Sequence, residues 1–350
     1  MTTLATRRGR LKVRDWDLSA RVGLCLVVIV GFAVAVPGFV SRGSGYAVLQ
    51  VVSPLGLAGL GIGVTMIAGE VDLSIGSMAA LGGVLAIRLG MHSWALGLFI
   101  PIVMGAILGA VQGIVISVIR ISSLVVTIGT LILFSGLAYL LSGETSVSLT
   151  SFGVGNFLDT SLFILSPFSL IFLGVTVVTW LVLRYTRIAH ELYAIGGGRQ
   201  EAQAAGVSTL RPLMFAFAFS GAMGALTGTL VSMESGGATP TGFSSVLLNA
   251  VAAAVIGGVA LSGGKGSPWG IALGAVALGV IANGVDVLGA QDYVAQFLTG
   301  GLLFLVLAAE MIIGGGRRSP LLSMFRRPPH SPQPPNSPEP VSHQDRRPQP

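Results

Sequence analysis

Apolar residues in this chain fall into long runs. They do not alternate as in a half-buried strand, nor form the narrow stripe of a surface helix. Ten runs stand out, with approximate limits 22–40, 47–68, 74–91, 95–118, 122–141, 163–183, 212–233, 246–262, 269–287 and 294–313. Most approach the roughly 20 residues that carry a helix across about 30 Å of hydrocarbon. The pattern therefore predicts an all-α, polytopic membrane bundle of about ten transmembrane segments. Two runs, 74–91 and 246–262, are short for a full crossing. They are expected to be half-helices or re-entrant pieces shielded by protein.

Composition agrees. Of 350 residues, 52% are hydrophobic and only 10% are charged, whereas a soluble domain carries about 25% charged residues. A water-soluble globule could not cover its surface with so few charges, which excludes most soluble enzymes. The single cysteine, Cys25, excludes an intrachain disulfide framework.

A net charge of +6 would suggest nucleic acid in a soluble chain. Here the charges sort by side instead. With a cytoplasmic N-terminus and ten crossings, the inside segments hold 18 of the 20 basic residues, and only Arg42 and Arg88 fall outside. This asymmetry predicts that both termini are cytoplasmic. The outside loop 142–162 has Glu144 and Asp159 and no basic residue. The domain reading is a basic cytoplasmic N-terminus at 1–21, a transmembrane domain at 22–313 and a disordered, Pro-rich cytoplasmic tail at 314–350. The first run has a rival reading as a cleavable signal peptide, given its basic flank and Ala33-Val34-Ala35, although it is long for that role. The tail has a rival reading as a docking ligand.

Lipid supplies no hydrophobic drive for helices to associate, so close packing must do it. Gly105, Gly109 and Gly113 form overlapping GxxxG units, and Gly59/Gly63, Gly224/Gly228 and Gly270/Gly274 repeat the spacing. Compact packing and a sliding face are both compatible with it. Gln50, Gln112, Asn249, Asn283 and Asp286 lie within or near the runs. Gln112 and Asn249 are expected to face a pathway, with an interhelical hydrogen bond as the alternative. No histidine lies inside a run, and no acidic chain crosses the bundle, which argues against a proton relay.

Two glycine-rich interruptions separate runs. In Gly69–Ser77, Asp72 or Ser74 can cap the following helix, or they can serve gating or substrate passage at a broken helix. In Ser262–Gly270, Gly264-Lys265 superficially resembles a phosphate loop. The match fails, because Val259 stands where the first glycine belongs and Gly266 follows Lys265. A tight turn with Pro268 in the first turn of the next helix is expected. The Gly76-Ser77 and Gly266-Ser267 pairs suggest an internal repeat. In the polar loop 184–211, Gly196-Gly197-Gly198 are expected to break a helix. Residues 199–205 should form two helical turns, with Gly206 at the C-terminal cap. Such a helix either docks into a partner or lies on the headgroups.

Three motifs carry a resemblance that covers nearly all of 20–313: Gly69–Ser77 (GEVDLSIGS), Ala194–Gly206 (AIGGGRQEAQAAG) and Ala250–Ser267 (AVAAAVIGGVALSGGKGS). In order and spacing they resemble the monosaccharide (ribose-type) branch of bacterial ABC-importer permeases. The resemblance implies a non-enzymatic transport subunit of the bacterial inner membrane. It would pair with a second permease copy and rest on a cytoplasmic ABC ATPase that binds ATP and Mg²⁺, leaving this chain without a cofactor. A periplasmic or lipid-anchored binding protein would deliver the solute. Arg199, Gln200, Glu201, Ala202, Ala205 and Gly206 would form the coupling helix, and Asp72, Ser74, Gln112 and Asn249 the pathway or gate. The departures are Asn249 where Asp is usual, Val71 and Glu70 in the first motif, and Ser122-Ser123 in place of a Pro-Pro pair. The alternatives are the same machine for a nucleoside, an autoinducer-like sugar derivative or a branched-chain amino acid, and an ion-coupled secondary transporter.

Overall fold

The computed structural model describes residues 5–149, 153–161 and 163–314. Most of the Pro-rich tail therefore lies outside the described residues. The contacts define one compact unit, formed by the described residues up to Leu305, and a second beginning at Val306 whose described part, 306–314, is helical.

Each of the ten apolar runs coincides with a helix: α1 (Ala5–Ala35), α2 (Arg42–Ile67), α3 (Ile75–Gly90), α4 (Trp94–Ile119), α5 (Ser123–Ser142), α7 (Pro167–Tyr185), α10 (Leu210–Ser235), α11 (Val246–Ile256), α12 (Pro268–Val287) and α13 (Asp292–Gly314). Between them lie α6 (Gly153–Leu158), α8 (Arg187–Gly197) and α9 (Arg199–Ala204). Among the described residues six helices, α2, α4, α5, α7, α10 and α12, are long and apolar enough to cross a membrane. The other four runs hold shorter apolar helices, Ser19–Ala35, Ile75–Gly90, Val246–Ile256 and Tyr293–Ala309.

Local chemistry sets the ends. Pro37 and Gly38 (φ +83°) stop α1 at Ala35, before the apolar run ends. The same helix reaches back to Ala5, because nothing in the basic segment breaks it; the first 21 residues are thus largely part of a helix. Gly257 and Gly258 (φ +87°) stop α11 at Ile256, short of the expected 262. Ser267 caps α12, its hydroxyl accepting from Gly270 N–H at 3.1 Å with Pro268 next in line, as expected. Ser77 instead lies inside α3 and donates to the Ser74 carbonyl, so the two Gly-Ser pairs are not equivalent.

Helices α2, α10 and α12 are 67% buried along their apolar windows, against 28%, 17% and 33% for α4, α5 and α7. The first three form the interior with α3, and the others face outward. On α4 the exposed residues Phe99, Val103, Ile107, Val111 and Val118 recur at helical spacing and make one apolar face. Such a face is unfavourable in water and at home in hydrocarbon. The short α3, of 16 residues, is sheathed by α4, α5 and α10. The first helix packs on α12, where Val36 and Phe39 meet Val280 and Phe32 lies over Gly284. Arg21 reaches across to the Ile256 carbonyl at the end of α11, where a cation suits the negative end of the helix.

All five GxxxG pairs lie in helix contacts. A Cβ at Gly105, Gly109 or Gly113 would strike the carbonyls of Gly221, Phe217 or Leu213 on α10. Gly224 and Gly228 receive α3 at Ile75 and Ala79, Gly63 receives Ile271, and Gly270 and Gly274 receive α11 at Gly257 and Ala253.

The loops sort into two ends. One end gathers the Arg21–Ile256, Tyr193–Gly266, Ser117–Thr209 and Arg199–Glu70 contacts. The other gathers Tyr46–Asp159, Asn283–Ser44 and the antiparallel pair β1 (Val147–Ser148) with β2 (Gly237–Ala238).

Gly109→Ala should lower thermal stability in detergent by about 1–3 kcal/mol, because the methyl meets backbone that cannot turn aside. Gly129→Ala, where a Cβ meets open space, should be neutral or stabilising by about 0.5–1 kcal/mol. Equal melting shifts for the two variants would show that helix propensity, not close approach, governs these positions.

Candidate functional site

The turn between α2 and α3 begins at Gly69 (φ +79°) and carries Asp72, which is 1% exposed. Its Oδ1 accepts from Ser74 N–H at 2.9 Å and Ser74 Oγ–H at 2.6 Å, and its Oδ2 accepts from Ser220 Oγ–H on α10 at 2.7 Å. Gln112 on α4 donates from Nε2 to Ser74 Oγ at 2.9 Å and to Thr130 Oγ1 on α5. Buried Thr127 of α5 approaches the Val71 carbonyl at 3.5 Å. One turn thus ties together α3, α4, α5 and α10. A carboxyl group taken out of water is costly unless donors replace the lost hydration, and three protein donors do so here. Gln112 Oε1 is buried and without a hydrogen-bond partner.

Of the two capping candidates, Asp72 accepts from the Ser74 amide just ahead of α3, and Ser74 does not cap, its side chain making no cap bond. Asp72 joins the turn to α10 in addition to bracing Ser74, a tie that capping alone does not explain.

The second feature lies on the loop 184–211. Thr186 caps α8 by accepting from Ala189 N–H. Gly196 and Gly197 are part of α8, so only Gly198, in extended backbone, breaks it from α9. Glu201 lies over Gly198, at the positive end of α9. At the other end Val207 N–H bonds the Ala202 carbonyl and Gly206 N–H that of Gln203. With Gly206 at φ +82°, this is a Schellman cap. The helix is one turn and a half rather than the expected two. Arg199, Gln200, Glu201, Ala205 and Gly206 are exposed, and Ala202 is buried beneath them.

This segment sits on both glycine-rich interruptions. A Cβ at Gly196 would strike the Ile67 carbonyl, and one at Gly263 would meet Gly69 Cα and the Gly196 carbonyl. One at Gly264 would meet Gly197 Cα. Gly264 N–H donates to the Ile67 carbonyl at 2.9 Å, Tyr193 Oη–H donates to the Gly266 carbonyl at 2.9 Å, and Arg199 bonds Glu70 at 2.6 Å. Segments far apart in sequence touch as bare backbone.

At the opposite end Tyr46 Oη–H donates to Asp159, Gln50 Nε2 donates to Tyr46 Oη and to Glu234, and Ser166 donates to Gln50 Oε1. These bonds join α2, α10 and the start of α7. Beside them Arg42, Gly43, Tyr46, Asp159, Ser161 and Phe163 line a cavity of about 520 Å³, with Arg42 stacked 4.7 Å from the Phe163 ring.

Of the four pathway residues expected from sequence, Asp72, Ser74 and Gln112 share one cluster. Asn249 is exposed on α11 and stands apart from it. Asn283 donates to Ser44 across helices, and Asp286 is exposed at the end of α12. Sequence reasoning missed Ser220, Thr127 and Thr130. A hydroxyl in an apolar run is usually bonded to its own helix, as Thr227 and Thr176 are, so these three carried no distinguishing signal. It also missed the Glu70–Arg199 pair, whose only signal was opposite charge at two glycine breaks. Among the described residues no cluster of histidine, cysteine or acidic side chains could hold a metal ion.

A family model described as "Branched-chain amino acid transport system / permease component" matches residues 46–307. The D-allose transport system permease protein of Escherichia coli (strain K12) is 29% identical over 261 residues, 73% of this chain and 80% of its own. The ribose import permease protein of the same strain is 26% identical over 323 residues, 89% of this chain and 99% of its own. The L-arabinose ABC transporter permease protein of Azospirillum brasilense is 28% identical over 314 residues, 87% and 91% of the two chains. No solved structure matches the chain significantly.

Ser220→Ala leaves one oxygen of a buried carboxyl group without its donor and should cost about 1–3 kcal/mol. Exposed Asn249→Ala should change stability by less than about 0.5 kcal/mol. Thermal unfolding of the detergent-solubilised protein compares them, and similar losses would remove the Asp72 cluster as a structural tie.

Proposed function

Because the chain belongs to the branched-chain amino acid transport system / permease component family, we propose that it is the membrane-spanning permease subunit of an ATP-driven importer for a monosaccharide or related sugar. The observation that carries the solute class is the likeness to D-allose, ribose and L-arabinose permeases over most of the chain. A branched-chain amino acid is the second reading, favoured by the description of the family model.

In this reading the chain sits in the bacterial inner membrane with about ten crossings and both termini in the cytoplasm, as the basic residues argue. It hydrolyses nothing. ATP and Mg²⁺ bind a separate ATPase, a second permease copy completes the membrane part, and a periplasmic or lipid-anchored binding protein delivers the solute. The exposed α9, with Arg199, Gln200, Glu201, Ala202, Ala205 and Gly206, is the element the ATPase grips. Two features support that role. It projects its polar residues outward, and it follows directly on the α8 glycines Gly196 and Gly197, which lie against the two breaks that separate α2 from α3 and α11 from α12. Glycine backbones meet there without side chains between them, so displacement of α9 acts on both breaks. The Asp72 cluster, with Ser74 and Gln112, then holds the α2–α3 turn against α10 and α4 as a gate in alternating access.

The test is reconstitution of the chain with its ATPase in proteoliposomes, with the binding protein added. ATP-dependent uptake of labelled D-ribose, D-allose or L-arabinose is expected. Uptake of L-leucine alone would favour the second reading. Uptake driven by an ion gradient without ATP would overturn both.

Glu201→Arg places a cation at the positive end of α9, and Gly206→Val forces a branched side chain into left-handed backbone. Both variants should insert normally yet recover about tenfold less ATPase on co-purification. Undiminished co-purification and uptake would remove α9 as the coupling element. Asp72→Ala should lower uptake more than it lowers folded yield, and equal losses would leave the cluster a structural role only.

A further inference from the structure

Arg199 is the first residue of α9, at the helix end where a positive side chain is disfavoured. Its guanidinium turns away from the helix and bonds Glu70 Oε1 at 2.6 Å. The Glu70 side chain is only 12% exposed and that of Arg199 is 43% exposed. A pair this close to water contributes little net stability, so its position is more telling than its strength. Glu70 belongs to the same turn as Asp72, two residues on. That turn is short and braced by Ser74 at both the amide and the hydroxyl. Glu70 N–H also bonds the Thr65 carbonyl, which ties it to the end of α2.

We propose that the Glu70–Arg199 ion pair is the strut through which displacement of α9 reaches the Asp72 cluster. The proposal rests on the coupling role of α9 given above and adds a route and two positioning residues. The backbone contacts of Gly196, Gly263 and Gly264 can push on the breaks, and the Tyr193–Gly266 and Gly264–Ile67 hydrogen bonds hold the α11–α12 break and the end of α2, but none of them bonds a residue of the turn that carries Asp72. The ion pair can pull. A pull on Glu70 is carried along the turn to Asp72, and from there to α10 through Ser220 and to α4 through Ser74 and Gln112. The strut thus links the exposed helix to the polar tie inside the bundle and lets α9 drive that tie in both directions.

The experiment uses the complete importer in proteoliposomes and reads solute imported per ATP hydrolysed. Glu70→Gln keeps the shape and one acceptor but removes the charge, and Arg199→Gln removes the cation. Each should lower the ratio about tenfold. The exchanged pair Glu70→Arg with Arg199→Glu should restore at least half of it, because the strut is rebuilt with its polarity reversed. Arg199→Lys, which keeps the cation, should retain more of the ratio than Arg199→Gln. Melting temperatures of all variants separate loss of fold from loss of coupling. If the exchanged pair does not fold, the order of Lys above Gln at position 199 decides. Wild-type ratios in both single variants, or equally poor ratios for Lys and Gln, would overturn the strut while ATP-driven uptake by the wild type stands. Absence of ATP-driven uptake in the wild type would overturn the proposed function itself, and the strut with it.

Discussion

Hydrocarbon offers helices no reward for leaving a solvent, since lipid tails are as apolar as leucine. The arrangement of α2, α3, α4, α10, α11 and α12 therefore depends on how closely their backbones approach. Glycine sets that distance. Along α4 the glycines at 105, 109 and 113 lie against the Gly221, Phe217 and Leu213 carbonyls of α10, and Gly228 of α10 lies against Ala79 of α3. Close approach multiplies dispersion contacts, each of them small. It also clears the outward faces of α4 and α5 for large side chains that suit lipid.

The same device is used at the end where α9 sits, for a different purpose. Gly69, Gly196, Gly263 and Gly264 bring three loop segments to backbone contact. A Cβ at Gly196, Gly263 or Gly264 would hold the segments apart, whereas Gly69 is required by its left-handed backbone. Glycine inside the bundle thus packs helices, whereas glycine at this end lets two helix breaks and a surface helix share one small region. The polar cluster around Asp72 complements this dense apolar packing. Directional bonds to Ser74 and Ser220, extended by Gln112, specify one register of α3 against α4 and α10, which close-packed apolar surfaces alone leave less defined.

Much of the architecture was legible without coordinates. Ten apolar runs became ten helices, and the chain broke after α2 at Gly69 and between α8 and α9 at Gly198, whereas α11 stopped at Gly257-Gly258, ahead of the expected 262. The cap at Gly206 followed from glycine's tolerance of left-handed backbone, and Pro268 with Ser267 opened α12 as their chemistry requires. The errors were local and had local causes. Two glycines were counted as helix breakers although α8 tolerates both. Asn249, the fourth pathway candidate, lies exposed on α11 outside the Asp72 cluster, because the turn of that helix and not the residue's polarity decides what it meets.

What the sequence determined by itself was where the chain is helical and where it stops. Hydropathy, glycine and proline act within a few residues, so their effects can be read in order along the chain. What only the tertiary structure decided was which polar groups meet. Asp72 and Ser220 are 148 residues apart, and Glu70 and Arg199 are 129 apart. A serine in an apolar helix has its own backbone carbonyls within reach, and whether it finds a carboxylate instead depends on how that helix is turned against its neighbours. That rotation follows from the summed close contacts of many residues, which no single residue in the sequence announces.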